Sequence, residues 1–313
     1  MSGARAAMLP DGRRLHLQHG PIDLIIEAVG EAEEIQSAYV QAATRFRTIL
    51  DELVAELPVL RRPVNSARSQ VSGSVARRMI RACERHEGVF ITPMAAVAGA
   101  VADEVLSAML ACHSPRRAYV NNGGDIALHL ATGERFEIGI VAEVDQPRIA
   151  ATATIEASMP VRGIATSGQG GRSFSLGIAD AVTVLAHDGA AADAAATLIA
   201  NAVDVNSPTI RRRPARSLQE DSDLGELSVV VAVGPLSNDD VDAALEAGLA
   251  EAERMRLAGL IEVAFLGLRG HHRTTGLSPT LTPARPVSRS LGELLTRASR
   301  LPIPTGEAWS ESL

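Results

Sequence analysis

The sequence predicts an α+β fold, a mostly antiparallel sheet with helices packed against it. Three observations lead there. Four β-rich runs follow one another between residues 117 and 156 with only short turns between them, a spacing that favours antiparallel pairing. Segments on either side repeat apolar residues at steps of three and four, the period of a helix with one buried face. Apolar residues make up 46% of the 313, enough to fill a sizeable core.

The elements follow in order. Residues 12–29 read as two short strands: an alternating run to His19, then a β-branched run from Pro21 after a His-Gly-Pro turn. From Glu31 to about Leu57, the spacing of Ile35, Ala38, Tyr39, Ala42, Phe46, Ile49 and Leu50 predicts a helix, broken by Pro58 and Pro63. A second helix is expected from Ser74 to His86, with Arg77, Arg78, Arg81 and Arg85 as a solvated face or, failing that, an anion-facing edge. Residues 92–111 read as a helix capped by Thr92, with Pro93 at its first position. Its small residues, Ala95 to Ala102, leave a smooth surface that another backbone or a flat ligand must approach closely. The four strands of the middle come next. A strand from Val161 then enters a Gly/Ser loop, followed by a strand at 180–186 and a helix at 188–205. Residues 206–224 are expected to form an exposed loop and 227–234 a buried strand. A helix at 237–256 and a last strand at 261–270 close the domain, which is expected to span 12–274. Residues 275–313, rich in Pro, Ser, Thr and Arg, read as a poorly ordered tail.

Composition excludes several classes. The net charge of −7 argues against a nucleic-acid partner, which would call for a basic footprint. All 30 cationic residues are Arg. Lysine nucleophiles, Schiff bases and a lysine-bearing P-loop are therefore impossible. Cys83 and Cys112 lack metal-ligand spacing and are expected to be buried thiols of a cytoplasmic protein. The N-terminus has no apolar run of the length of a signal peptide core, and no window of the chain approaches about 18 consecutive apolar residues, so no membrane partner is expected. The pairs His271-His272, and the single His129 and His187, read as surface or structural residues.

Three constellations could carry chemistry. Asn121-Asn122-Gly123-Gly124-Asp125 lies between two strands; it suits a hairpin, and its backbone N–H groups could also meet an anion or a ring edge. Ala165-Thr166-Ser167-Gly168-Gln169-Gly170-Gly171-Arg172 runs from a strand into a hydroxyl-rich and glycine-rich loop; it is a plain surface loop or a pyrophosphate cradle. Asp193 and Thr197 lie one turn apart on one helix face. A carboxylate and a hydroxyl suit a hard cation such as Mg2+, while a carboxylate in the first turns of a helix equally suits the helix dipole.

In this order, the three constellations resemble the ApbE-like family of FAD-dependent flavin transferases, which attach FMN to Thr or Ser of target proteins. The family pattern is a small-residue segment with Lys-Gly, a Gly-Gly-Asp turn, Thr-Ser-Gly, and Asp-x-x-x-Thr. The matching stretches are Ala95 to Asp103, Asn122 to Asp125, Thr166 to Gly168, and Ala192 to Thr197. The chain looks most like a shorter cytosolic branch of that family. The resemblance implies a two-lobed α+β architecture in which Asn122, Gly123, Gly124, Asp125, Thr166, Ser167 and Gly168 contact the flavin nucleotide. Asp193 and Thr197 would bind Mg2+, helped by a backbone carbonyl near Ala96–Ala98, and the ion would act on the FAD diphosphate. Two positions depart from the pattern. Ala98 stands where the family has its Lys, and the segment after Gly168 lacks the His-x-x-Asp-Pro-x-Thr-Gly of the transferases; Asp180 is the candidate to replace its Asp, with no spacing rule that fixes the match. Tyr119 is the nearest aromatic to the Asn-Gly-Gly turn.

Three readings stay open from the sequence. The first is a Mg2+-dependent FMN transferase or FAD pyrophosphate-cleaving enzyme with a protein substrate. The second is a flavin- or nucleotide-binding accessory protein of a redox pathway, and the third an enzyme acting on another small anionic metabolite. A homodimer is compatible with each.

Overall fold

A computed structural model describes residues 3–67, 70–86, 88–141, 149–171, 173–275 and 281–283. Its strands are β1 (Arg5–Met8), β2 (Leu15–His19), β3 (Ile22–Val29), β4 (Arg117–Asn122), β5 (Asp125–Leu130), β6 (Arg135–Val141), β7 (Ile149–Glu156), β8 (Gly163–Ser167), β9 (Ala181–Ala186), β10 (Ile210–Pro214), β11 (Ser228–Val233), β12 (Val263–Leu268), β13 (His271–Thr274) and β14 (Leu281–Pro283). The helices are α1 (Ala32–Leu60), α2 (Val64–Ala67), α3 (Ser74–Glu84), α4 (Val97–Leu110), α5 (Gly189–Ala202) and α6 (Asn238–Leu257).

Nine strands form one sheet in the order β1-β2-β3-β4-β5-β8-β9-β12-β13. Every neighbouring pair in it is antiparallel. The two faces are separated by the alternation of side chains along each strand. Leu24, Ile26, Ala118, Val120, Ala127, Ala165, Val182 and Val184 pack with the helices in one core. Leu128, Ile164, Leu185, Val263 and Phe265 face the other way. There they pack on β6 and β7, which with β14 form a second sheet of three strands. The molecule is thus layered as helices, large sheet and small sheet, an α+β fold with a mostly antiparallel sheet.

The helix positions follow from their buried stripes. In α1, Ala38, Ala42, Phe46, Ile49 and Leu53 line one face. The Tyr39 hydroxyl accepts the Ala28 N–H at 3.0 Å and donates to the Arg13 carbonyl at 2.7 Å, which pins α1 to β3. Helix α6 starts with a capping box, in which Ser237 and Asp240 each accept the other's backbone N–H. The segment Pro93–Leu110 has the length and apolarity of a membrane span, and 56% of it is buried inside the fold. It carries Asp103 and Glu104, both hydrogen-bonded within the helical layer.

Several expectations are corrected. Helix α1 runs through Pro58 to Leu60, because the residues before the ring keep helical geometry and the chain breaks only at Arg61. Thr92 does not cap α4: its hydroxyl bonds Asp223, and the helix is entered through a 3-10 turn over Pro93–Ala96. Residues 206–224 include a strand, β10, and β11 is not buried in the large sheet but pairs with β10 in a two-stranded arm. Cys112 is exposed, since α4 ends two residues before it. Arg78 is not purely solvated; it bonds Glu104 at 2.9 Å and Ser107 at 2.9 Å. Strands β1 and β13 are additional edge strands. Within the segment read as a tail, Leu281–Pro283 pairs with β7, and residues 276–280 and 284–313 lie outside the described residues.

Candidate functional site

The sheet's register builds the first part of the site. Asn122 pairs with Asp125 across a two-residue loop, so Gly123 and Gly124 make the hairpin turn with φ of 66° and 115°. Side chains rarely adopt such angles, which is why glycine occupies both positions. A Cβ on Gly124 would meet nothing within 4 Å, so the turn faces open space. The Asn121 Oδ1 accepts the Gly124 N–H at 2.8 Å and holds the turn closed.

Strand β8 runs beside β5, which brings the second constellation to the first. The Thr166 N–H donates to Asp125 Oδ1 at 3.3 Å. Alternation along β8 sends the Thr166 side chain to the face away from α5, where its hydroxyl pairs with that of Thr183 at 2.9 Å. Ser167 is on the helix side. Gly168 has room for no side chain, because a Cβ would lie 2.5 Å from the Asp180 carbonyl. The Asp180 carboxylate accepts the N–H of Arg269, a residue in the left-handed region at φ 51°. Arg172 lies outside the described residues.

The third constellation reaches the other two through a helix crossing. Helices α4 and α5 meet at their first turns, where a Cβ on Gly99 would lie 2.1 Å from the Gly189 carbonyl oxygen. Gly163 of β8 is equally pressed by the Asp188 carbonyl, at 1.9 Å from its would-be Cβ. The small-residue surface of the 92–111 segment is therefore explained by another backbone, that of α5. Across this contact Asp193 Oδ2 accepts the Gly99 N–H at 3.0 Å. Asp103 returns the exchange: its two oxygens accept the N–H groups of Gly189 at 2.8 Å and Ala190 at 2.9 Å. Asp188 caps α5 by accepting the Ala191 N–H at 2.7 Å. Asn122 donates to the Ala98 carbonyl at 3.1 Å and ties the glycine turn to the start of α4.

Three of the predicted residues, Asn122, Asp125 and Asp193, thus meet around the first turn of α4. Thr197, half-buried, follows Asp193 one turn further along α5. The electrostatics record the proximity. Burial, and then the charge of Asp125, raise the Asp193 carboxyl well above the usual range, against the N–H groups of Gly99 and Ala98. Burial and the Asp188 charge push Asp103 up to about 7. A carboxylate group of this kind is a place where a cation lowers the energy. No three His, Cys, Asp or Glu side chains converge on one point among the described residues.

Tyr119 points to the opposite face of the sheet from Asn122. Its hydroxyl donates to Glu27 at 3.2 Å and its ring meets Phe136 edge-on at 6.2 Å, beside a cavity of about 270 Å3 in front of the small sheet. It is placed away from the α4–α5 crossing.

Sequence reasoning passed over Asp103, which the structure places across the helix crossing from Asp193, and a signal for it was present. Gly99-Ala100-Val101-Ala102-Asp103 and Gly189-Ala190-Ala191-Ala192-Asp193 share the pattern Gly-Ala-x-Ala-Asp near the starts of both helices of the crossing.

This α+β chain belongs to the family whose model is described as AbpE bacteria, which matches residues 6–274. Its relatives include the UPF0280 protein MK0206 of Methanopyrus kandleri, 32% identical over 67% of this chain and 83% of that protein. A UPF0280 protein of Methanosphaerula palustris is 35% identical over 52% of this chain and 67% of its own length. Among solved structures, the apo flavinyl transferase ApbE of Pseudomonas stutzeri is similar at 16% identity and a TM-score of 0.37, covering 87% of this chain and 93% of that one. A single-residue mutant of flavin transferase ApbE from Vibrio cholerae is similar at 14% identity and a TM-score of 0.40, covering 87% and 97%.

Proposed function

We propose that the protein binds a flavin nucleotide, FAD, through a Mg2+ held at the α4–α5 crossing, and cleaves its diphosphate to transfer FMN to a hydroxyl acceptor. The observation that carries this reading is the meeting of Asp193 and Asp125 at the first turn of α4, next to a glycine turn that faces open space. Asp193 and Thr197, with a backbone carbonyl of residues 96–98, would hold the ion. Mg2+ supplies charge neutralisation on the diphosphate and polarises the bond to be broken.

The chain's own residues do the rest. Asn122 is bonded to the Ala98 carbonyl, so it orients the oxygen-bearing start of α4 relative to the turn. Gly123 and Gly124 let the nucleotide approach the backbone without a side chain in the way. Ser167, on the helix side of β8, and the backbone of Gly168 just after the strand extend that surface; the Thr166 contribution is its backbone, since its hydroxyl is committed to Thr183. The first N–H groups of α5 are taken by Asp103 and Asp188, so this helix terminus does not offer itself to phosphate.

Incubating the purified protein with FAD and Mg2+ tests the proposal by the appearance of FMN and AMP, or of flavin on an added acceptor peptide. We expect turnover in the wild type and a loss of at least 100-fold in Asp193→Ala. Equal and negligible turnover in both would sink the enzymatic reading.

A second reading, flavin binding without transfer, is favoured by two residues. Ala98 stands at the position of the family's Lys, and Gly171 to Asp180 contains no His to take a proton from an acceptor hydroxyl. Asp180 is engaged by the Arg269 backbone. FAD that is retained and raises the unfolding midpoint, with no FMN or AMP formed, would support it. Indifference to every flavin would remove both readings in favour of a different anionic metabolite.

A further inference from the structure

The two helices of the crossing carry the same pattern, Gly-Ala-x-Ala-Asp, near their starts: Gly99 to Asp103 from the third residue of α4, and Gly189 to Asp193 from the first of α5. In each, the Asp lies one turn beyond the Gly and on the same face. The structure makes the pair reciprocal. Asp103 accepts the N–H of Gly189, and Asp193 accepts the N–H of Gly99. Each carboxyl group thus accepts at the N-terminal end of the other helix, the end whose free N–H groups call for an acceptor.

The two halves are not equivalent in surroundings. Asp193 keeps some solvent exposure, has one oxygen bonded to the Gly99 N–H, and feels the charge of Asp125. Asp103 is only 8% exposed, and both of its oxygens are bonded to backbone N–H groups. The interface around them has no slack. A Cβ on Gly99 or Gly163 would run into the backbone of Asp188 and Gly189 at 1.9–2.1 Å. Helix α5 therefore cannot slide or tilt at this end without losing the Asp103 bonds or colliding with α4 or β8.

We propose that Asp103 is the positioning residue of the site: by holding the first turn of α5 it sets the place of Asp193 against α4. The geometric claim stands on the crossing alone, whereas its consequence for a bound cation rests on the function proposed above. A plain capping residue would steady Gly189 and Ala190 and nothing more. A positioning residue also controls the bond on the far side of the crossing, from Gly99 to Asp193.

Amide-resolved hydrogen exchange on the full chain separates the two. Asp103→Asn keeps the shape and loses one acceptor. Ser237→Ala, which removes a cap on the distant α6, serves as a control for general loss of stability. We expect Asp103→Asn to speed exchange at the Gly99 amide at least tenfold relative to the α1 core amides, with the control leaving that ratio unchanged. Unchanged Gly99 protection, with faster exchange confined to Gly189 and Ala190, would overturn the proposal. If Asp103→Asn does not fold, Asp103→Ser, which retains one short acceptor, takes its place with the same two outcomes.

A Mn2+ titration of the folded variants then gives the functional arm. The expected result is affinity about tenfold weaker in Asp103→Asn than in wild type, and equal affinities count against positioning. Absence of Mn2+ binding by the wild type would count against the proposed function alone, with the exchange ratio still deciding the role of Asp103.

Discussion

Burial raises the Asp103 carboxyl to about 7, whereas the unfolded chain titrates it near 3.8. Between those values the folded state holds more protons, so this residue makes stability fall as pH rises from about 4 to about 7. His86 acts in the reverse direction. Burial, and then the Arg254 charge, lower its pKa to about 4 from 6.5, and its Nδ1 has no partner among the described residues. The unfolded state then holds the extra proton, so His86 makes stability rise over about pH 4 to 6.5. The two slopes offset one another in the wild type. Single variants should separate them, as read by urea midpoints across pH 4–8. Asp103→Asn is expected to tilt the profile upward with pH and His86→Leu downward, each by on the order of a few kcal/mol at most across the window. Parallel profiles for all three proteins would contradict the assigned burial. At this scale the sequence was partly legible. Asp193 and Asp125 stand out because a carboxylate beside a glycine turn or a hydroxyl one turn away is a recognisable arrangement. Asp103 did not, because its partners are backbone N–H groups 86 and 87 positions away, and the Gly-Ala-x-Ala-Asp pattern it shares with Asp193 does not say by itself which backbone each carboxylate meets.

Two helices built from small residues can approach until their backbones touch, and α4 and α5 do so at Gly99 and Gly189. Gly99→Ala would place a methyl group 2.1 Å from a carbonyl oxygen, which only a shift of one helix can relieve. We expect a loss of about 2–3 kcal/mol or more, the range of overpacked cores, measured by denaturant unfolding. Gly133→Ala is the comparison: it also needs an unfavourable φ, 83°, but its Cβ would meet nothing, so about 1 kcal/mol of conformational strain is expected. A Gly99→Ala effect no larger than the Gly133→Ala effect would contradict the close crossing. At the start of α6, Ser237→Ala should cost about 1 kcal/mol through loss of its capping box. The sequence showed that something must lie close to α4 and favoured close packing in the core, but left a flat ligand open. It also misplaced elements whose partner is elsewhere in the chain. Strand β11 reads as buried from its Val-rich run, yet it pairs only with β10, because strand composition records apolarity and not sheet membership.

The layers determine which parts of the molecule can share a site. The strand order brings the 121–125 turn and the end of β8 side by side, and the helix layer lays α4 and α5 across that same end. The Tyr119 face, with its cavity, belongs to the other side of the sheet. A flavin nucleotide held at the crossing should stabilise the whole cooperative unit, by about 2.7 kcal/mol at a free concentration 100-fold above Kd. That should appear as an unfolding midpoint higher by several degrees with FAD and Mg2+ together. The same additions should leave Asp193→Ala unmoved. A midpoint that rises equally in the variant would place the nucleotide elsewhere.

Local chemistry sufficed to determine most strands and helices, the hairpin at Gly123-Gly124 and the identity of Asp193 as a carboxylate worth attention. Apolar period and backbone conformational preference are properties of neighbouring residues, and they survive in a linear reading. Tertiary structure alone decided that Asp193 meets Asp125 and the first turn of α4, that Thr166 turns its hydroxyl away, and that Asp103 closes the crossing. Those outcomes depend on the order of strands in the sheet and on which backbones touch, and hydrogen bonds between distant segments leave no trace in local sequence spacing.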